Sequence, residues 1–236
     1  MGDRNDITLI GEQKELIEAL AKTGKPIVSV IISGRPLSLS DVESNLDAIL
    51  YGWILGQEPG TAVADILFGD TNPSGKMPVS VPRSVGNIPA YYNHKPTARR
   101  GYAFADASPL YAFGEGMSYT AFDISEPILS SSIMGIDEET SVSVEITNTG
   151  MMAGEEVVQL YIRDKVSSVT RNVKDLKGFK RVSLAPGETK TVTLPIRKES
   201  LWFYNLDMER VVEPGEFDIM VGNSSQNVKS VTLTVQ

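Results

Sequence analysis

The chain has 236 residues, 41% of them hydrophobic, a net charge of -8 and no cysteine. Such a composition supports packed cores and argues against wholesale disorder, while the acidity argues against a nucleic-acid surface, the basic run Arg99-Arg100 being too short to provide one. The lack of cysteine excludes disulfides and thiolate metal sites, and no apolar run approaches the ~20 residues of a membrane helix.

The polar start, Met1-Gly2-Asp3-Arg4-Asn5-Asp6, lacks the apolar core of a secretion signal. The compartment is left open: periplasmic, extracellular or cytoplasmic. Glu12 to Lys22 carries an apolar stripe of Leu16, Ile17 and Leu20 and reads as a helix, stopped by Gly24-Lys25-Pro26. Ile27 to Ile32 is nearly continuous in β-branched residues, as expected of a strand covered on both faces. A short helical link around Asp41 to Asn45 leads to a second buried strand, Ala48 to Trp53, and a helix over Thr61 to Phe68 stops at Gly69. A βαβ-type unit with a parallel sheet is the simplest account.

Alternating prolines demote Met77 to Pro82 to an edge or extended segment, and residues 83–109 show no period, as in a long connection. From Tyr119 the rhythm changes. Val142–Ile146, Val157–Ile162, Leu176–Leu184, Val192–Ile196, Phe217–Val221 and Val228–Val235 alternate as short strands, with turns such as Ala185-Pro186-Gly187-Glu188 between them. The expected organisation is a partial parallel α/β sandwich domain over 1–82, an interdomain segment over 83–118 and a fibronectin III-like β-sandwich over 119–236.

In a parallel sheet, ligands sit beyond the carboxyl ends of the strands. That rule selects Ser33-Gly34-Arg35-Pro36 after the first strand and Trp53 to Gly60 after the second. Arg35, Trp53 and Glu58 are therefore the candidate substrate-binding residues, since sugar rings stack on aromatic faces and their hydroxyls suit planar charged groups. A structural reading stands beside this one: Gly60 admits a helix start and Glu58 favours the helix dipole. His94 is the only histidine, so no catalytic triad or histidine metal site can be built without it, and no G-x-S-x-G or H-E-x-x-H pattern is present. Gly114-Glu115-Gly116 reads as a turn and not as a phosphate cradle. Asn223-Ser224-Ser225 is a weak glycosylation sequon, and the scattered carboxylates single out no catalytic pair.

Several segments, in order along the chain, resemble glycoside hydrolase family 3. Gly24-Lys25-Pro26-Ile27-Val28 with Gly34-Arg35-Pro36 is similar to its "T-G-K-P-x-V…G-R-P" strand, and Trp53–Gly60 to "W-x-x-G-Q-E-G-G", with Pro59 in place of a glycine. Gly69 to Pro78 resembles "G-D-x-N-P-S-G-K-L-P". Tyr111 to Phe122 resembles "Y-P-F-G-x-G-L-S-Y-T-x-F", with Ala112 and Glu115 altered, and Thr147-Asn148-Thr149-Gly150 and Leu176-Lys177-Gly178-Phe179 continue the match. Ile10 departs from the usual proline of "L-P-G-x-Q".

The resemblance implies the C-terminal part of a retaining β-glycosidase, β-glucosidase first and β-xylosidase next, acting on β-linked oligosaccharides or aryl glycosides without a cofactor. Retention needs two carboxyl groups about 5–5.5 Å apart. By the resemblance, the nucleophilic aspartate belongs to an upstream barrel, and the acid/base glutamate precedes a segment like Asp3-Arg4-Asn5-Asp6-Ile7. No catalytic residue is therefore expected within this chain. The strand at 27–32 would then present an unpaired edge, to be covered by the upstream barrel half or by self-association. The rival expectation is a non-catalytic module binding carbohydrate or protein through Trp202-Phe203-Tyr204.

Overall fold

The computed structural model describes residues 4–96 and 103–236. Met1–Asp3 and the Arg99-Arg100 run lie outside the described residues. The chain divides into two compact units, one of Met1–Thr71, Val79–Tyr91 and Gly101–Ala112, the other of Asn72–Pro78, Tyr92–Arg100 and Phe113–Gln236.

The first unit is α/β. Helix α1 (Gln13–Ala21) ends where the Thr23 hydroxyl donates to the Leu20 carbonyl at 2.7 Å, and Gly24 turns the chain at φ +66°. Strand β1 (Val28–Ile31) runs parallel to β2 (Ala48–Tyr51), in register from Val28 opposite Ala48 to Ile31 opposite Tyr51. The Asp47 carboxylate fixes the entry to β1 by accepting the Ile27 N–H at 2.7 Å. The link around 41–45 is a single 3₁₀ turn, Glu43–Asn45. Helix α2 (Pro59–Leu67) starts two residues before the expected Thr61, because Pro59 suits a first helical position where no N–H is required.

One expectation fails in this unit: its strands are not covered on both faces. Val28 is 50% and Ile32 67% exposed, and Leu16 on the apolar stripe of α1 is 58% exposed. Neither α1 nor α2 contains a fully buried residue. Among the described residues β1 pairs only with β2. The apolar pattern is present, and the described residues bury it only in part. What burial there is falls on Ile31, Leu39, Val42, Val81, Leu110 and Ala112, with Val81 and Tyr111 forming a short antiparallel bridge.

The second unit is a β-sandwich. Its elements are β3 (Phe122–Ile124), β4 (Ile128–Leu129), β5 (Ile133–Met134), β6 (Thr140–Asn148), β7 (Gly154–Asp164), β8 (Asp175–Leu184), β9 (Thr189–Ile196), α3 (Lys198–Leu201), β10 (Phe203–Tyr204), β11 (Arg210–Val211), β12 (Gly215–Gly222) and β13 (Val228–Val235). One sheet has the order β5-β13-β12-β7-β8; the other has β3-β6-β4, with β9 on β6. Strict alternation places Val142, Val144 and Ile146 of β6 and Val192, Leu194 and Ile196 of β9 inward, against Val158, Leu160 and Ile162 of β7 and Phe217, Ile219 and Val221 of β12. All twelve belong to one continuous apolar core. β7 and β8 carry one irregularity, a bulge between Leu160 and Tyr161.

Candidate functional site

The loops after β1 and β2 are joined by backbone: the Ser33 N–H donates to the Trp53 carbonyl at 3.2 Å, continuing the Gly52 to Ile31 bond of 2.9 Å. Trp53 sits at φ +54°. Non-glycine residues rarely adopt that left-handed conformation, which costs on the order of 1–3 kcal/mol and tends to cluster at functional sites. Its half-buried ring lies 5.7 Å from Tyr51, and Tyr51 is 5.9 Å edge-on from Tyr111. Tyr51 donates to the Leu37 carbonyl at 3.1 Å, and Tyr111 donates to Glu43 at 3.0 Å. Burial, aided by the Glu43 charge, pushes the Tyr51 phenol well above its ordinary range, so it stays a neutral donor.

Arg35 is half-buried, its N–H on the Ser33 hydroxyl at 3.2 Å and its guanidinium on the Arg4 carbonyl at 3.3 Å. The loops of Arg35 and Trp53 are thus held side by side. Glu58 does not join them through any hydrogen bond between described side chains. It is exposed at the N-cap of α2, makes no side-chain capping bond, and its carbonyl accepts the Ala62 N–H at 3.4 Å.

The remaining sequence candidates make the following contacts. The His94 carbonyl accepts the Val173 N–H at 2.9 Å, strapping the segment after Tyr92 to the residues that lead into β8. Gly114-Glu115-Gly116 turns against residues 75–77, where the Gly114 N–H reaches the Met77 carbonyl at 2.8 Å. At Gly116 an added Cβ would lie 2.1 Å from the Gly75 carbonyl, so only glycine fits. In the sequon, Ser224 and Ser225 are buried and Asn223 accepts from Asn227 at 2.8 Å, as in a closed turn. Phe203 is buried. Arg210 lies over the ring of Trp202 at 3.9 Å and donates to the Tyr204 hydroxyl at 2.8 Å, so these aromatics do not form a bare platform. No group of three or more His, Cys, Asp or Glu among the described residues could hold a metal.

Sequence reasoning missed the contacts of Asn72-Pro73-Ser74-Gly75-Lys76. Asn72 donates to the Ala153 carbonyl at 3.0 Å and accepts from the Ser118 hydroxyl at 2.7 Å. Ser74 accepts from Arg181 at 2.6 Å. Lys76, half-buried, pairs with the buried Glu156 at 2.6 Å and donates to the Gly116 carbonyl at 2.9 Å. The alternation of polar residues from 72 to 76 was the available signal, but their partners lie from 40 to 107 residues away.

A profile described as "Glycosyl hydrolase family 3 C-terminal domain" matches residues 1–119, and one described as "Fibronectin type III-like domain" matches residues 156–225. The chain is 48% identical to a beta-xylosidase of Formosa agariphila, over all of itself and 33% of that protein. It is also 48% identical to the periplasmic beta-glucosidase of Salmonella typhimurium, over 96% of itself and 31% of that protein. Among solved structures, the Erythrobacter marinus β-glucosidase EmGH1 matches with a TM-score of 0.97 at 47% identity, covering 100% of this chain and 31% of that one. The Listeria innocua beta-glucosidase in complex with glucose matches with a TM-score of 0.92 at 38% identity, covering 98% and 34%. The chain spans about a third of the length of the curated relatives it matches.

Proposed function

Because this chain belongs to glycoside hydrolase family 3, as the C-terminal portion of such an enzyme, we propose that it acts as part of a retaining β-glycosidase, a β-glucosidase or β-xylosidase. The observation that carries this reading is similarity along the whole chain to enzymes of both names, confined to a third of their length. Hydrolysis with retention requires a nucleophile and an acid/base about 5–5.5 Å apart, and both are supplied by the part of the enzyme preceding this chain.

The role left to this chain is to wall the cleft. In this reading Arg35 and Trp53, whose loops are tied by the Ser33–Trp53 bond, meet the sugar: the indole offers a stacking face and the guanidinium a hydroxyl donor. The conformation of Trp53 supports this, since a left-handed tryptophan is retained where its direction matters more than its strain. Glu58 stays in the proposal only as a charge at the mouth of α2. The covering of Trp202 and Tyr204 by Arg210 weighs against a carbohydrate-binding module as the main role.

Hydrolysis of aryl β-glucoside and β-xyloside by this chain, alone and mixed with the upstream barrel part, tests the reading. Activity appearing only in the mixture is expected. Robust activity from the chain alone would require a catalytic pair among its own carboxylates and would overturn it.

A further inference from the structure

Leu176-Lys177-Gly178-Phe179 plays no part in the function proposed above. On β8, Leu160 faces Gly178 and Tyr161 faces Leu176, so Lys177 is the extra residue of the bulge, with no opposite number on β7. Bulges re-aim side chains and recur beside binding sites. β8 is also the edge of its sheet. Lys177 is half-buried, yet its ammonium makes no hydrogen bond or ion pair with a described residue. Burial holds it below the ordinary lysine range, against the pull of Asp175 and with the push of Arg171. Asp175 is already engaged by the Asn172 amide at 2.8 Å.

Arg171 is the second cation of this cluster. Its guanidinium lies 4.4 Å over Phe203, and its buried Nη1 has no hydrogen bond, standing 3.5 Å from an Asp164 oxygen that also lacks one. Native structures leave few buried polar atoms unsatisfied. Phe179, two residues along β8, is 66% exposed. Exposed aromatics and arginine are both enriched at protein interfaces, and a guanidinium fork matches a carboxylate.

We propose that Lys177 and Arg171 receive a carboxylate side chain carried by the N-terminal part of the longer enzyme. This rests on the reading that such a part completes the chain, as the threefold greater length of the relatives suggests.

The test titrates this chain with the upstream part of its parent enzyme, following affinity by calorimetry and the Lys177 ammonium by NMR. The wild-type chain binds, the Lys177 titration moves up on assembly, Lys177→Met weakens binding by about tenfold or more, and Lys177→Arg largely restores it. Assembly that leaves the lysine titration unmoved, or equal binding by Lys177→Met, overturns this inference and leaves the proposed function standing. Failure of the wild-type chain to assemble overturns both. Sodium glucuronate shifting Lys177 in the free chain, with upstream binding indifferent to Lys177→Met, would make the occupant a soluble sugar acid and overturn the protein source.

Discussion

The two units use similar apolar residues to opposite ends. In the sandwich, alternation on β6, β7, β9 and β12 is met by the same chain, and Ile146, Leu160 and Ile219 are wholly buried. In the α/β unit, Leu16 and Leu20 on α1 and Val28 on β1 follow patterns just as regular and remain exposed. Periodicity therefore states which face an element needs to bury; it does not say whether the same chain supplies the cover.

Substitutions should separate the units sharply. Phe217→Ala removes a fully buried ring from the sandwich core and should cost about 3–5 kcal/mol by denaturant unfolding. A loss below ~1 kcal/mol would show that the sandwich core is not the stable part. Close behind, Lys76→Met leaves Glu156 buried and unpaired, an effect of about 3 kcal/mol or more, and adding Glu156→Leu should recover most of it. If the double variant is no better than the single one, the ion pair is not what holds residues 72–78 to β7.

Protonation offers a milder probe. Hydrogen bonds from Ser183 and Arg181 hold the Glu155 carboxyl below its ordinary value. A depressed carboxyl stabilises above its unfolded pKa, near 4.5, and that stability is lost as pH falls through the folded value. Acid titration of the melting temperature should therefore show a fall below about pH 4.5 that Glu155→Gln reduces; an unchanged profile would remove Glu155 from the account. Lys177 moves stability in the same pH direction, but as a penalty and not as a gain. Its folded pKa is lowered, so the charged form is penalised at neutral pH and the penalty lifts as pH rises towards the unfolded value. Lys177→Met should leave the isolated chain at least as stable at pH 7, and a clear loss would mark the lysine as structural. The smallest effect belongs to α1: Leu16→Ala should change stability by less than ~1 kcal/mol in the isolated chain.

Much of the fold was legible because local signals agreed. Pro59 and Gly69 bracket α2, Gly187 turns β8 into β9 at φ +73°, and the period switches from helical to alternating after Tyr119. The site was less legible, for reasons of distance. That the loops of Arg35 and Trp53 are joined follows from the parallel pairing of β1 with β2, which the strand pattern announces. That Glu58 stands apart does not follow, since spacing along a loop carries no direction. Nothing local marks Glu156 as the buried partner of Lys76, or Lys177 as a bulged residue without one, because each depends on pairing partners far away in sequence.

Hydrogen exchange on the isolated chain, and again after addition of the upstream part, tests the contrast most directly. The account predicts that amides of β7 and β12 are strongly protected in both states, while those of α1 and β1 become protected only on addition. Protection of α1 and β1 in the isolated chain equal to that of β7 would contradict it.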